Sequence, residues 1–168
     1  PLSVQELIDC MEIQCSDGSG TMDDAFEWVR EKRNGSLDTF QSYPYVDKDC
    51  IFWDPPHKCL HNGSLPSGPG RVTAMHHTIP NNVTDLMLAL TRGPVSGAIY
   101  SSLTTFTTYK GGIYSDKNCM SVTKKMLDHG VLLVGYGVEN SKPYWWIKNS
   151  WGESRGESGY MRMARNVG

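Results

Sequence analysis

His129 and Asn149 are the residues whose types and spacing most invite chemistry. His129 follows Asp128 and opens the apolar run Gly130-Val131-Leu132-Leu133-Val134, which reads as a strand. Asn149 sits at the end of the next apolar stretch, Pro143 to Lys148. Two adjacent strands can bring these side chains together. An Asn side-chain oxygen can accept from one imidazole nitrogen and fix the ring. The other nitrogen then faces a nucleophile. Trp151 lies two residues beyond Asn149 and could keep water off that hydrogen bond. Taken alone, a His at a strand end reads more readily as a packed histidine than as a base. His57, His61, His76 and His77 lie in a polar, Pro-rich stretch and read as surface loop residues.

The chain has 5 cysteines, so at least one has no partner within it. Cys10, Cys15, Cys50 and Cys59 cluster in the first 60 residues. A zinc site from Cys50, His57, Cys59 and His61 is the rival to disulfides, but the spacing matches no common finger. Sequons at Asn34, Asn62 and Asn82 make these asparagines candidates for glycosylation. With Gly and Pro abundance, they suit a secreted or vesicular protein.

The elements that must position these residues follow from local pattern. Ser3 to Cys10 reads as a short helix, with Ser3 and Glu6 spaced as a capping box. Thr21 to Arg33 reads as a longer helix, with Asp23 and Asp24 in its first turn and Asn34-Gly35 as its stop. Residues 41–81 hold six prolines and should be mostly loop. A third helix runs from about Val83 to Thr91 behind Asn82. Val95 to Tyr100, His129 to Gly137, Pro143 to Lys148 and Gly159 to Ala164 read as strands. Helices first and strands later indicate an α+β protein with two unlike parts, about 1–80 and about 81–168.

Composition bounds the function. The 168 residues carry 16 Lys plus Arg against 18 Asp plus Glu, a net charge of −2 that offers no basic excess for nucleic acid. An apolar content of 39% argues against disorder. The longest apolar run, near Val131 to Val138, is too short to span a bilayer.

Several stretches carry a resemblance. Leu127 through Gly137, Pro143 through Gly152 with its Lys148-Asn149-Ser150-Trp151-Gly152 end, and Gly156 through Ala164 are similar to the C-terminal half of a papain-family cysteine peptidase of the cathepsin L type. Leu2 to Cys10, Ala25-Phe26-Glu27-Trp28, Tyr43-Pro44-Tyr45 and Gly93-Pro94-Val95-Ser96 follow in that family's order. The resemblance implies a two-domain papain-like fold, one half mainly helical and one a β-barrel-like sheet. It implies His129 as general base and acid, Asn149 as its orienter and Trp151 as the shield. It implies no cofactor and no metal, a peptide or protein substrate, and a lysosome-like, endosomal or secreted location. Met22, Ala98, Leu127 and Gly130 would form an apolar hollow for a bulky P2 side chain, and Gly20 would pair its backbone with extended substrate.

The same resemblance marks what is not here. In that family the nucleophilic Cys lies about 130–150 residues before the His and Asn, which puts it at or before residue 1. No Gly-Ser-Cys-Trp-like run occurs in the sequence. The family's oxyanion-hole Gln belongs to the same stretch. Cys10 matches a structural cysteine, and Cys15 precedes a Gly-rich loop rather than opening a helix. The resemblance therefore implies a chain incomplete at both ends, inactive and unstable alone, that needs a missing segment or separate chain to supply the Cys. It also implies that Cys10 pairs with Cys50 in preference to Cys59, leaving Cys15 for Cys59, and that Cys119 lacks a partner. Asp17, Ser19 and Arg155 depart from the pattern; Arg155 stands where a second Trp is usual. These departures support the alternative of a degenerate homologue with a binding or scaffold role. The intact His129, Asn149 and Trp151 support the peptidase reading.

Overall fold

Thr21 and Asn82 show how short polar side chains start the helices. The Thr21 hydroxyl accepts the Asp24 N–H at 3.1 Å and the Asn82 carbonyl oxygen accepts the Asp85 N–H at 3.0 Å. In this computed structural model, which describes residues 1–11, 20–46, 59–60, 68–121, 123 and 126–165, those caps open the helices Met22–Lys32 and Val83–Leu90. The chain divides into two compact units, Pro1–His76 and His77–Gly168.

The first unit holds α1 (Gln5–Cys10) and α2 (Met22–Lys32). Ser3 Oγ accepts the Glu6 N–H at 3.0 Å, which starts α1. The Glu6 carboxylate is fully buried and accepts from Arg33 Nε at 2.7 Å and from the Asp38 N–H at 2.6 Å. That pair ties the first helix to the end of the second. Its charges offset each other because both carry further hydrogen bonds. Asn34 and Gly35 have φ of 51° and 81°, the left-handed stop expected after α2.

The disulfide expectation is corrected here. Cys10 pairs with Cys59, not Cys50, across a sequence separation of 49. The reason lies in Tyr43. Its hydroxyl donates to Asp9 Oδ2 at 2.7 Å and accepts the Leu60 N–H at 3.3 Å, holding the 59–60 segment against the end of α1. Burial pushes the Tyr43 hydroxyl up to about 12, against the hydrogen bond from Leu60, so it stays protonated as the donor. With Cys59 taken, a Cys15–Cys59 bond and a zinc site using Cys59 both fall. Cys15, Asp17, Ser19, Cys50, His57, His61 and Asn62 lie outside the described residues.

The second unit contains α3 (Val83–Leu90), β1 (Val95–Ile99), α4 (Thr104–Thr107), β2 (Ile113–Tyr114), a 3₁₀ turn (Lys117–Ser121), β3 (His129–Glu139), β4 (Lys142–Lys148) and β5 (Tyr160–Ala164). One five-stranded sheet has the order β1-β3-β4-β5-β2. All pairs are antiparallel except β2 with β5. Asn140 and Ser141, with φ of 49° and 61°, make the two-residue turn that joins β3 to β4. Within β3 the register shifts between Leu133 and Gly135, so Val134 forms a bulge. Leu133 opposes Ile147 and Tyr136 opposes Trp145, so residues three apart on β3 share a face with residues two apart on β4.

That face is the core. Val131, Leu133, Ile147 and Met161 are buried with Phe106 and Tyr114, and Leu86 and Leu90 of α3 pack against them. Ile147 is only 2% exposed and lies between its register partners Leu133 and Met161. Among the described residues no helix is long and apolar enough to cross a membrane. The core predicts a large cost for a cavity at its centre. Ile147→Ala should lower the stability of the second unit by about 2–5 kcal/mol, read from urea unfolding. A loss under about 0.5 kcal/mol would contradict this packing.

Candidate active site

Strand alternation places His129, Val131 and Leu133 on one face of β3, and Ile147 and Asn149 on the matching face of β4 and its extension. His129 is half-buried at the strand start, opposite Ile99 of β1. Leu132 opposes Lys148, so Asn149 emerges one step beyond the ladder, diagonal to His129. The sheet brings the two side chains together: His129 Nε2 and Asn149 Oδ1 are 2.8 Å apart.

The proton on this bond can be assigned. The same Asn149 oxygen accepts the Ser150 N–H at 2.8 Å. A backbone N–H only donates, so the atom facing His129 is the amide oxygen. Nε2 therefore carries the hydrogen and donates. In the neutral ring Nδ1 holds the free lone pair. The second unit thus presents a fixed imidazole with its basic nitrogen on the side away from Asn149.

Three contacts hold the pair. The Trp151 ring centroid is 5.0 Å from that of His129, tilted 32°, and meets the buried Phe106 edge-on at 5.4 Å. The Asn149 N–H donates to the Gly159 carbonyl at 3.0 Å. Gly159 belongs to a turn that needs glycine: its φ is 87°, and at Gly156 (φ 58°) a Cβ would meet the Tyr160 carbonyl oxygen at 2.5 Å. The Glu157 carboxylate anchors this turn. It accepts the Gly112 N–H at 2.9 Å and Arg162 Nε at 2.8 Å, and the Arg162 hydrogen bonds hold its carboxyl below the usual range.

Asp128 anchors the backbone just before His129, a role the sequence pattern did not single out. Its N–H donates to the Ile99 carbonyl at 3.1 Å, and its carboxylate accepts from the Ser101 N–H at 2.6 Å and the Ser102 hydroxyl at 2.5 Å. Desolvation pushes this carboxyl up, but the Ser102 and Ser101 hydrogen bonds outweigh it and hold the group below its ordinary value. The signal available in sequence was the Asp-His pair with two serines after β1.

The remaining candidates are placed as follows. Ala98 and Gly130 are exposed register partners on β1 and β3, and Leu127 is exposed two residues before His129. Gly20 and Met22 belong to the first unit, where Gly20 is exposed before the Thr21 cap and Met22 opens α2. Asn34 is exposed, but the Ser36 of its sequon is buried and donates to the Gly68 carbonyl at 2.9 Å. Asn82 is the α3 cap. Cys119 is a free thiol, 3.9 Å from the Tyr114 hydroxyl. Arg155 donates to the Thr107 carbonyl at 2.6 Å with its guanidinium 5.7 Å from the Trp151 ring centroid. Together they wall a small hollow with Asn149 and Phe106. Among the described residues no cluster of three or more metal-binding side chains occurs.

Comparison with known proteins gives one consistent answer. The family described as papain family cysteine protease matches residues 1–168. Digestive cysteine proteinase 3 of Homarus americanus is 38% identical over 98% of this chain and 48% of its own length. Procathepsin L of Felis catus is 39% identical over 98% of this chain and 47% of its own length. The chain thus spans about half the length of the curated relatives it matches. Among solved structures, the bromelain protease from Ananas comosus in complex with the E64 inhibitor superposes with a TM-score of 0.78 at 32% identity, covering 99% of this chain and 70% of that one.

The Asp128 arrangement predicts a pH dependence with a definite sign. A carboxyl depressed in the fold contributes stability above its unfolded value of about 3.9 and loses it as pH falls through the lower folded value. Carboxyl-carbon NMR should give Asp128 a midpoint below about 3.9. A midpoint above that value would contradict the Ser101 and Ser102 bonds.

Proposed function

The chain belongs to the papain family of cysteine proteases, and from that premise we propose that it carries the His and Asn of a peptide-bond hydrolase. The observation that carries this reading is the 2.8 Å bond from His129 Nε2 to an Asn149 oxygen whose identity the Ser150 N–H fixes. In the proposed reaction His129 Nδ1 takes the proton of a cysteine thiol, and the thiolate attacks the scissile carbonyl. The imidazolium then returns that proton to the leaving amine. Water, deprotonated by the same nitrogen, releases the acyl group and frees the cysteine. Asn149 keeps the ring in the required tautomer, and Trp151 shields the bond from water.

The nucleophile is proposed to come from polypeptide outside these residues. Among the described cysteines, Cys10 and Cys59 are joined to each other, and Cys119 lies beside Tyr114. A base without its nucleophile retains little of the unit's effect, because the members act together. We read the substrate as a peptide or protein with a bulky apolar P2 side chain, which exposed Ala98, Leu127 and Gly130 would accommodate. The disulfide is in keeping with a lysosome-like or secreted compartment.

The test is turnover. The purified 168-residue chain should not hydrolyse a Phe-Arg fluorogenic peptide. A longer polypeptide that includes a Gly-Ser-Cys-Trp-like segment should hydrolyse it, with activity blocked by a thiol-directed epoxide and lost in His129→Ala. Epoxide-sensitive turnover by the short chain alone overturns the division of roles. An inactive long form favours the binding or scaffold alternative, to which the Arg155 departure points.

A further inference from the structure

Arg165 is the one place in the second unit where a buried charge lacks an anion among the described residues. It follows β5 and is 8% exposed. Its guanidinium carbon lies 5.3 Å from the ring centroids of both Tyr136 and Trp145. Nη1 lies against the Met87 sulfur, and its backbone N–H donates to the Pro143 carbonyl. Nε is buried with no hydrogen-bond partner, the only such side-chain atom among the described residues. Aromatic faces and a thioether attract a cation, but neither carries a compensating charge. A guanidinium does not escape the cost of burial by shedding its proton. Among the described residues the other buried guanidinium, Arg33, has Glu6 and Asp38 beside it.

The surface around Arg165 shows what kind of group completes it. Tyr136 is 39% exposed, and Val138, two residues on along the same face of β3, is 63% exposed. An apolar rim around an uncompensated cation fits an extended peptide that brings one carboxylate and covers the rim. It does not fit a free inorganic anion, which would leave the rim in water. The curated relatives are about twice as long as the stretch matched here, which leaves length for such a segment.

We propose that Arg165 anchors a docking site for an Asp- or Glu-bearing segment of the same polypeptide outside these 168 residues. The segment's carboxylate receives the Arg165 guanidinium, and its neighbouring side chains cover Tyr136 and Val138. The site is separate from His129 and Asn149 and stands whether or not the proposed hydrolysis is correct.

A reversal of sign tests it. In the 168-residue chain, Arg165→Met removes an uncompensated charge and should raise the urea midpoint. In a longer polypeptide that carries the segment, the same change strands a carboxylate and should lower it. Sodium propionate serves as a probe for the carboxylate. Titrated into the 168-residue chain, it should shift the Arg165 Nε–H NMR signal saturably, where sodium chloride at equal ionic strength does not. A lower midpoint in both lengths, or equal responses to propionate and chloride, overturns the site. If the short chain unfolds without cooperativity, the long one decides. One Asp or Glu outside these residues, changed to Asn or Gln, should then be non-additive with Arg165→Met. If every acidic residue there is additive, the proposal is wrong.

Discussion

The antiparallel register of β3 on β4 is the constraint on which the second unit depends. Leu133 against Ile147 sets the core, and the same register carries His129 and Asn149 to one end of one face. A slip of one residue would turn His129 to the opposite side of the sheet and expose Val131 and Leu133 with it. Burial of the apolar face therefore enforces the position of the polar pair. The two-residue turn at Asn140 and Ser141 fixes where that pairing begins, and the Val134 bulge adjusts which side chains of its outer half face inward.

The outer half of the hairpin has a different character from the half that bears the site. Near His129, polar groups are matched: Asp128 with Ser101 and Ser102, Asn149 with Ser150 and Gly159, Glu157 with Gly112 and Arg162. Near Tyr136 the face ends in exposed apolar side chains around a guanidinium that, among the described residues, is held by rings and a sulfur. Matched polar groups make an imidazole rigid before any substrate arrives, which is what general-base chemistry requires.

Much of this was legible in the sequence, for identifiable reasons. Thr21, Asn82 and Asn34-Gly35 are local signals whose partners lie within six residues, so the starts of α2 and α3 and the stop of α2 were readable. The long strands were readable from uninterrupted apolar runs. The two-residue β2 and the four-residue α4 were not, because neither is long enough for its period to repeat. The Cys10–Cys59 bond was missed because it depends on Tyr43 bridging Asp9 and Leu60, a contact between distant residues. Asp128 and Arg165 were missed for the same reason. Both look like ordinary charged residues until the strands beside them are paired.

The direction of the His129 proton tests the account most directly. Nitrogen-15 NMR of the imidazole, recorded where the ring is neutral, distinguishes the two tautomers. If Asn149 holds the ring as the 2.8 Å bond implies, the protonated nitrogen is Nε2, and Asn149→Ala removes that preference. A neutral His129 protonated on Nδ1, or a tautomer that ignores the Asn149 change, would contradict the assignment of Nδ1 as the base.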